Sequence, residues 1–249
     1  MSPLFLFVLL SITSLVTSFI SGILGMAGGM ILMGVLLAVV SVPTAMLLHG
    51  TTQLASNGWR AFLWRQYIDR RVFAGYALGS LAVLGVYVGI QFLVSKPLAY
   101  LLLGLTPFIA IALPESWHLN VERRGHSAFC GAVCTALQLA SGVSGPILDA
   151  FFVRSKMNRQ QVVATKAATQ SCGHTLKIIY FGGIVPATAD IDPLLMGTMI
   201  ALAFAGTTLS RGVLERMSDA DFRKWTRWTV LSIGVFYLGS AAWMYLRGA

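Results

Sequence analysis

The first 59 residues contain no lysine, arginine, aspartate or glutamate. Soluble folds keep about a quarter of their residues charged to hold a hydrated surface, and a stretch this long without one charge has no surface to give to water. It has to be solvated by lipid, where the backbone finds hydrogen-bond partners only within itself, as helix. The pattern recurs. Uncharged runs lie at 72–95, 97–114, 125–148, 193–210 and 228–246, and 161–184 is apolar apart from Lys166, His174 and Lys177. A crossing takes roughly 20 apolar residues. With 56% hydrophobic and 11% charged residues, the composition excludes a disordered chain, a coiled coil, a nucleic-acid-binding module and an ordinary cytosolic enzyme. The expected fold class is an all-α polytopic membrane protein, multi-pass in the cell (inner) membrane, and the N-terminus, which lacks a basic signal region, reads as the start of the membrane domain.

Eighteen basic residues against nine acidic ones give a net charge of +9. In this setting the excess reads as cytoplasmic loops rather than a nucleic-acid surface. Loops 65–71, 115–124, 154–159 and 211–227 are basic, whereas 185–193 carries Asp190 and Asp192 and no cation. All four basic loops fall on one side only if 127–153 enters and leaves by the same face. Applied to both interruptions described below, this gives about six full crossings plus two broken segments. Helix 43–64 then runs inward and 161–182 outward. The tryptophans, Trp59, Trp64, Trp117, Trp225, Trp228 and Trp243, fall near predicted span ends, as an interfacial belt does. Cys130, Cys134 and Cys172 read as packing residues, as do Met26, Met30 and Met33; no metal site and no cofactor is expected.

Two stretches break the helical pattern: Ser21 to Met30 (SGILGMAGGM) and Ser141 to Pro146 (SGVSGP). Irregular backbone at membrane depth is tolerated only inside protein or beside a watery cavity. The two breaks also lie in similar surroundings. His49 to Arg60 (HGTTQLASNGWR) aligns without a gap on Lys166 to Lys177 (KAATQSCGHTLK), pairing His49 with Lys166, Gln53 with Gln170, Asn57 with His174 and Arg60 with Lys177. The expected organisation is therefore two similar, inverted repeats, 1–114 and 127–249, joined by a loop at 115–126. In secondary transporters of that architecture the site lies near the midplane, between the broken helices.

Positions 49, 53, 57 and 60, and likewise 166, 170, 174 and 177, share one helical face. A charge at membrane depth costs at least about 2.5–3.5 kcal/mol, so these groups need a role. Together with half-helix N-termini, which carry partial positive charge, they point to a small anion. The expected binding residues are His49, Gln53, Asn57, Arg60, Lys166, Gln170, His174 and Lys177, with Ser141 and Ser144 as further donors. Gly25, Gly28, Gly29, Gly142 and Gly145 would form a backbone cradle. Asp149 reads either as a proton-coupling carboxylate or as a static partner of a nearby cation, with His49 or His174 as alternative proton carriers.

At this point the chain resembles the sulfite exporter TauE/SafE-like family of membrane permeases. The likeness rests on SGILGMAGG, on HGTTQLASNGWRAFLWRQYIDRRVFAGYALGS, and on the second copy, ASGVSGP followed by KAATQSCGHTLKIIYF. The first copy lacks a proline soon after its glycines, and the second has a single glycine before its proline. The resemblance implies transport of sulfite or an organosulfonate such as sulfoacetate. The reading is thus an ion-coupled anion exporter, with protons as coupling ion. A passive anion channel or uniporter is the alternative, as is a carrier of a non-sulfur oxyanion or carboxylate. No Walker motif and no paired catalytic groups are present, so neither ATP hydrolysis nor enzyme chemistry is expected. The partners are the anion and the lipid bilayer, not nucleic acid. A homodimer is left open, since Gly75 and Gly79 serve helix packing within one chain as well as between two.

Overall fold

A computed structural model describes residues 2–185 and 191–247. Asp190 therefore lies outside the described residues, which are helical with no strand. The chain runs through α1 (Pro3–Leu24), α2 (Ala27–Val39), α3 (Val42–Leu63), α4 (Arg70–Ile90) and α5 (Lys96–Ala112). It continues through α6 (His126–Ser141), α7 (Gly145–Phe152), α8 (Arg159–Ile179), α9 (Pro193–Leu209), α10 (Arg211–Arg216) and α11 (Asp219–Leu246). Starts are written locally. Ser2, Ser41, Asp69, Ser95, Asn158, Asp192 and Ser218 each accept a hydrogen bond from a first-turn amide, satisfying a donor the helix itself leaves free.

Among the described residues, four helical segments are long and apolar enough to cross a membrane: Pro3–Leu24, Arg70–Ile90, Pro193–Val213 and Lys224–Leu246. Their outward faces confirm lipid as the solvent. On α1 the exposed residues are Phe5, Val8, Ile12 and Val16, while its buried face is Ser11, Ser14, Thr17, Ser18 and Ser21. Small residues let helices approach closely where lipid supplies no hydrophobic drive. A Cβ on Gly79 would stand 1.8 Å from the Ala128 carbonyl oxygen, and one on Gly131 2.0 Å from that of Tyr76. The Gly75/Gly79 pair thus packs α4 against α6 of the same chain.

The contacts also fix directions. Ser14 Oγ donates to the Met199 carbonyl and Gly22 abuts Ser210, so α1 and α9 run parallel. Gly75 meets Ser127 and Tyr87 Oη donates to the Ala136 carbonyl, so α4 and α6 do too. By contrast, Gly50 lies beside Lys177 and Ile178 while Gly58 faces Ser171, so α3 and α8 are antiparallel. So are α5 and α11, where Tyr100 packs on Tyr237 and Gly104 and Pro107 both reach Gly234.

Two expectations are refined. The loop expected over 211–227 is largely helical: α10 occupies part of it and α11 starts at Asp219, capped by Ser218. Helix satisfies the backbone there, and the charged side chains do not prevent it. The breaks are also narrower than their glycine content suggests. The first comprises Gly25 and Met26, the second Gly142 to Ser144. In each, the glycine that ends the preceding helix has positive φ, +69° at Gly25 and +88° at Gly142. Gly142 is left-handed helical, which costs other residues about 1–2 kcal/mol, and Gly25, with ψ −108°, lies outside that basin.

Candidate functional site

The two breaks meet over the crossing of α3 and α8. Between them lies a cavity of about 20 Å³, room for one water where about 10–15 Å³ is needed. Gly25, Met26 and Gly29 line it from the first break, Val143, Ser144 and Gly145 from the second. His49, Gln53 and Asn57 enter from α3, Gln170 and His174 from α8, and Gln138 from α6.

The hydrogen bonds define which groups can donate. His49 Nε2 lies 2.9 Å from the Gly29 carbonyl, an acceptor only, so Nε2 carries the proton. Its Nδ1 then accepts from Lys177 Nζ at 2.7 Å. Lys177 Nζ donates also to the Gly142 carbonyl at 3.0 Å. One chain of bonds thus runs from α2 through His49 and Lys177 to the end of α6, tying both breaks together. Gln138 bridges the other side. Its Oε1 accepts from Ser144 Oγ at 3.3 Å, so its Nε2 donates to His174 Nδ1 at 2.8 Å, leaving Nε2–H as the free side of a neutral His174. Gly173 makes room for this amide, since a Cβ there would come 2.5 Å from Gln138 Oε1. The His49 and His174 rings are 5.5 Å apart.

Gln53 is the exception in this satisfied network. Its Oε1 accepts from Asn57 Nδ2 at 3.5 Å, while its Nε2 is buried with no partner. A buried amide donor left unpaired costs about 1–3 kcal/mol and is retained at a cavity wall where an acceptor comes to it. The first turns of α2 and α7 add backbone N–H groups beside the same space. The surroundings are therefore donor-rich, and one cation, Lys177, fully buried, stands directly behind His49.

Of the sequence-derived residues, His49, Gln53, Asn57, Gln170, His174, Ser144, Gly25, Gly29 and Gly145 line the cavity, and Lys177 supports it. Others stand elsewhere. Lys166 forms an ion pair with Asp149 in a separate cavity, both partly exposed. Arg60 donates to the Ser21 carbonyl at 3.3 Å, at the end of α1. Ser141 Oγ turns back to the Leu137 and Val143 carbonyls. Gly28 packs α2 on α1, where a Cβ would meet the Thr17 carbonyl at 1.9 Å, and Gly142 serves through its carbonyl and its backbone turn. The physical reason is depth. A shared helical face sets direction only, and eleven residues span roughly 16 Å of axis, so residues 166 and 177 cannot both touch one small cavity. Gln138, Met26 and Val143 were not anticipated. Gln138 was detectable as the one amide within the uncharged run 125–148. Met30 and Met33 are buried in the apolar core, as expected.

The family model described as sulfite exporter TauE/SafE matches residues 10–237. No curated protein and no solved structure matches the chain.

Proposed function

The chain belongs to the sulfite exporter TauE/SafE family, a family of membrane transporters for sulfite and related anions, and from that premise we propose that the anion binds in the cavity between the two breaks. The observation that carries this reading is the buried, unpaired Gln53 Nε2 on the cavity wall, with the free Nε2–H of His174 as a second donor. A sulfite or sulfonate head offers several acceptor oxygens. Gln53, the Nε2–H of His174, and the amides at the starts of α2 and α7 would hold them, with Lys177 supplying the charge through His49.

The repeat underlies the geometry. Units 1–114 and 127–249 place Gly25 over Gly142, Gln53 over Gln170, Asn57 over His174 and Arg60 over Lys177. The antiparallel crossings of α3 with α8 and α5 with α11 are what inversion of one unit relative to the other requires. The four basic loops then face the cytoplasm, in the inner membrane. Protons drive export through the two cavity histidines; Asp149, held by Lys166, is their bystander.

The test is flux of labelled sulfite, sulfoacetate, taurine and sulfate in proteoliposomes, with and without a proton gradient, for wild type and Lys177→Met. Saturable, gradient-dependent movement of one sulfur anion, lost in the variant, is expected. Folded wild-type protein that moves none of them overturns the reading, and a flux that simply follows voltage replaces the carrier with a channel.

A further inference from the structure

A second cavity, of about 430 Å³, lies beside the first. It opens among α5, α7, α8 and α11, with largely apolar walls that include Ile111, Phe152 and Val230. Its charged groups are Arg227, which is exposed, and the Lys166–Asp149 ion pair. Met26 is the one residue that lines both cavities among the described residues. It belongs to the first break and seats against the second: a Cβ on Gly145 would stand 2.5 Å from Met26 Cβ. The partition between the two spaces therefore includes one unbranched side chain with three rotatable bonds, the type that changes rotamer most easily in a packed setting. The central cavity is much the smaller of the two, and movement of a wall enlarges it for a four-atom oxyanion. The other walls are amides, imidazoles, the Ser144 hydroxyl and glycine backbone, and the other apolar side chain, Val143, is β-branched and stiff at χ1.

We propose that the larger cavity is the access vestibule for the transported anion, an organosulfonate whose short carbon chain suits these apolar walls, and that Met26 is the gate between vestibule and binding cavity. Swinging Met26 toward the vestibule enlarges the central space without breaking a hydrogen bond. The sulfonate head then enters beside Gln53 and His174, while the chain stays against Ile111 and Val230. Arg227 gives the mouth a charge of the right sign, and the Lys166–Asp149 pair contributes a dipole rather than a trap. The proposal rests on the central cavity being the anion site.

Ala150 lines the vestibule on α7, next in sequence to Asp149. Ala150→Cys, in a Cys172→Ser background, is treated in proteoliposomes with a methanethiosulfonate carrying a negatively charged ethylsulfonate. Stoichiometric modification, verified by mass, is expected to cut sulfoacetate and sulfite flux at least about tenfold relative to the same variant untreated, and saturating sulfoacetate is expected to slow the modification. Flux within twofold of the untreated variant overturns the vestibule. Met26→Trp is expected to lower the initial rate about tenfold, and Met26→Ala to raise it; equal rates for wild type and both variants overturn the gate. Ile111→Ser, at an exposed position, is expected to raise KM for ethanesulfonate, whose far end is apolar, about threefold more than KM for sulfite, and equal changes overturn the organosulfonate assignment. If untreated wild type moves no sulfur anion, the central site itself fails and the vestibule with it.

Discussion

The two breaks have one scaffold and two different chemistries. In each, a helix ends on a glycine of positive φ, and a cation from the central helix of the same half approaches its carbonyl end, where the helix dipole is negative. In the first half that cation is Arg60, which reaches back to Ser21. In the second it is Lys177, which binds the Gly142 carbonyl and then crosses the seam to His49. The following half-helices differ as well. The thirteen-residue α2 is sealed by two tyrosines, Tyr237 Oη donating to the Met30 carbonyl and Tyr100 Oη to that of Gly34. The eight-residue α7 has the open vestibule beside it. Both breaks thus share a helix-ending glycine and a bonded cation, but only the cation of the second crosses to the other half.

Removing the seam-crossing cation is the strongest way to break this comparison. Lys177→Met keeps the length of the side chain but leaves His49 Nδ1 and the Gly142 carbonyl unpaired, each at about 1–3 kcal/mol. Proteoliposome flux is expected to fall at least about a hundredfold, with a lower melting temperature. Arg60→Met gives up one long bond and is expected to cost less than a third as much in stability. Equal losses for the two variants would show that the halves share the charge evenly.

The glycines at the breaks sharpen the same contrast. Gly142→Ala combines a disfavoured backbone with a Cβ 2.6 Å from Met33 Sδ, so a loss of about 2–5 kcal/mol is expected in denaturation measurements. Gly25→Ala has open space around it but a ψ of −108° that lies outside the left-handed helical basin, and about 1–3 kcal/mol is expected. A reversed order would mean that the second break has slack the packing does not show.

Much of this was legible in the sequence, and its limits are physical. The missing charge over 1–59 gave the solvent, the glycines gave the breaks, and the gapless match of His49–Arg60 on Lys166–Lys177 gave the two central helices. Helical periodicity assigned direction, which is why Gln53, Asn57, Gln170 and His174 all reached the cavity. It could not assign depth, which is why Lys166 and Arg60 did not. Gln138 enters from a helix whose tilt no periodicity encodes and Met26 from the break itself, and their roles depend on clearances at Gly173 and Gly145 that exist only once the halves are packed.

Gln53 separates binding from folding. Gln53→Leu removes the unpaired donor, so anion affinity is expected to weaken about tenfold, a loss of about 1.4 kcal/mol. The anion-free protein should change little in stability, because the unsatisfied Gln53 Nε2 disappears while Asn57 Nδ2 loses its long bond to Gln53 Oε1. Isothermal titration of the detergent-solubilised protein with sulfite, paired with melting curves, reads both. An unstable variant with unchanged affinity would make Gln53 a packing residue and leave the cavity without its distinguishing donor.

Lys166 gives the smallest expected effect and the clearest decision between face and depth. Its periodicity equals that of Lys177, so an argument from the helical face alone predicts that Lys166→Ala abolishes binding. Its position predicts otherwise. The ion pair with Asp149 leaves the two side chains 25% and 35% exposed, and pairs that water can reach contribute about 0–1 kcal/mol. Sulfite affinity in the same titration is therefore expected to change by less than about threefold, and the melting temperature by only a few degrees. A complete loss of binding with the protein folded would place the anion at the Lys166 end of α8. The charged residues of the two halves would then act together rather than divide between frame and site.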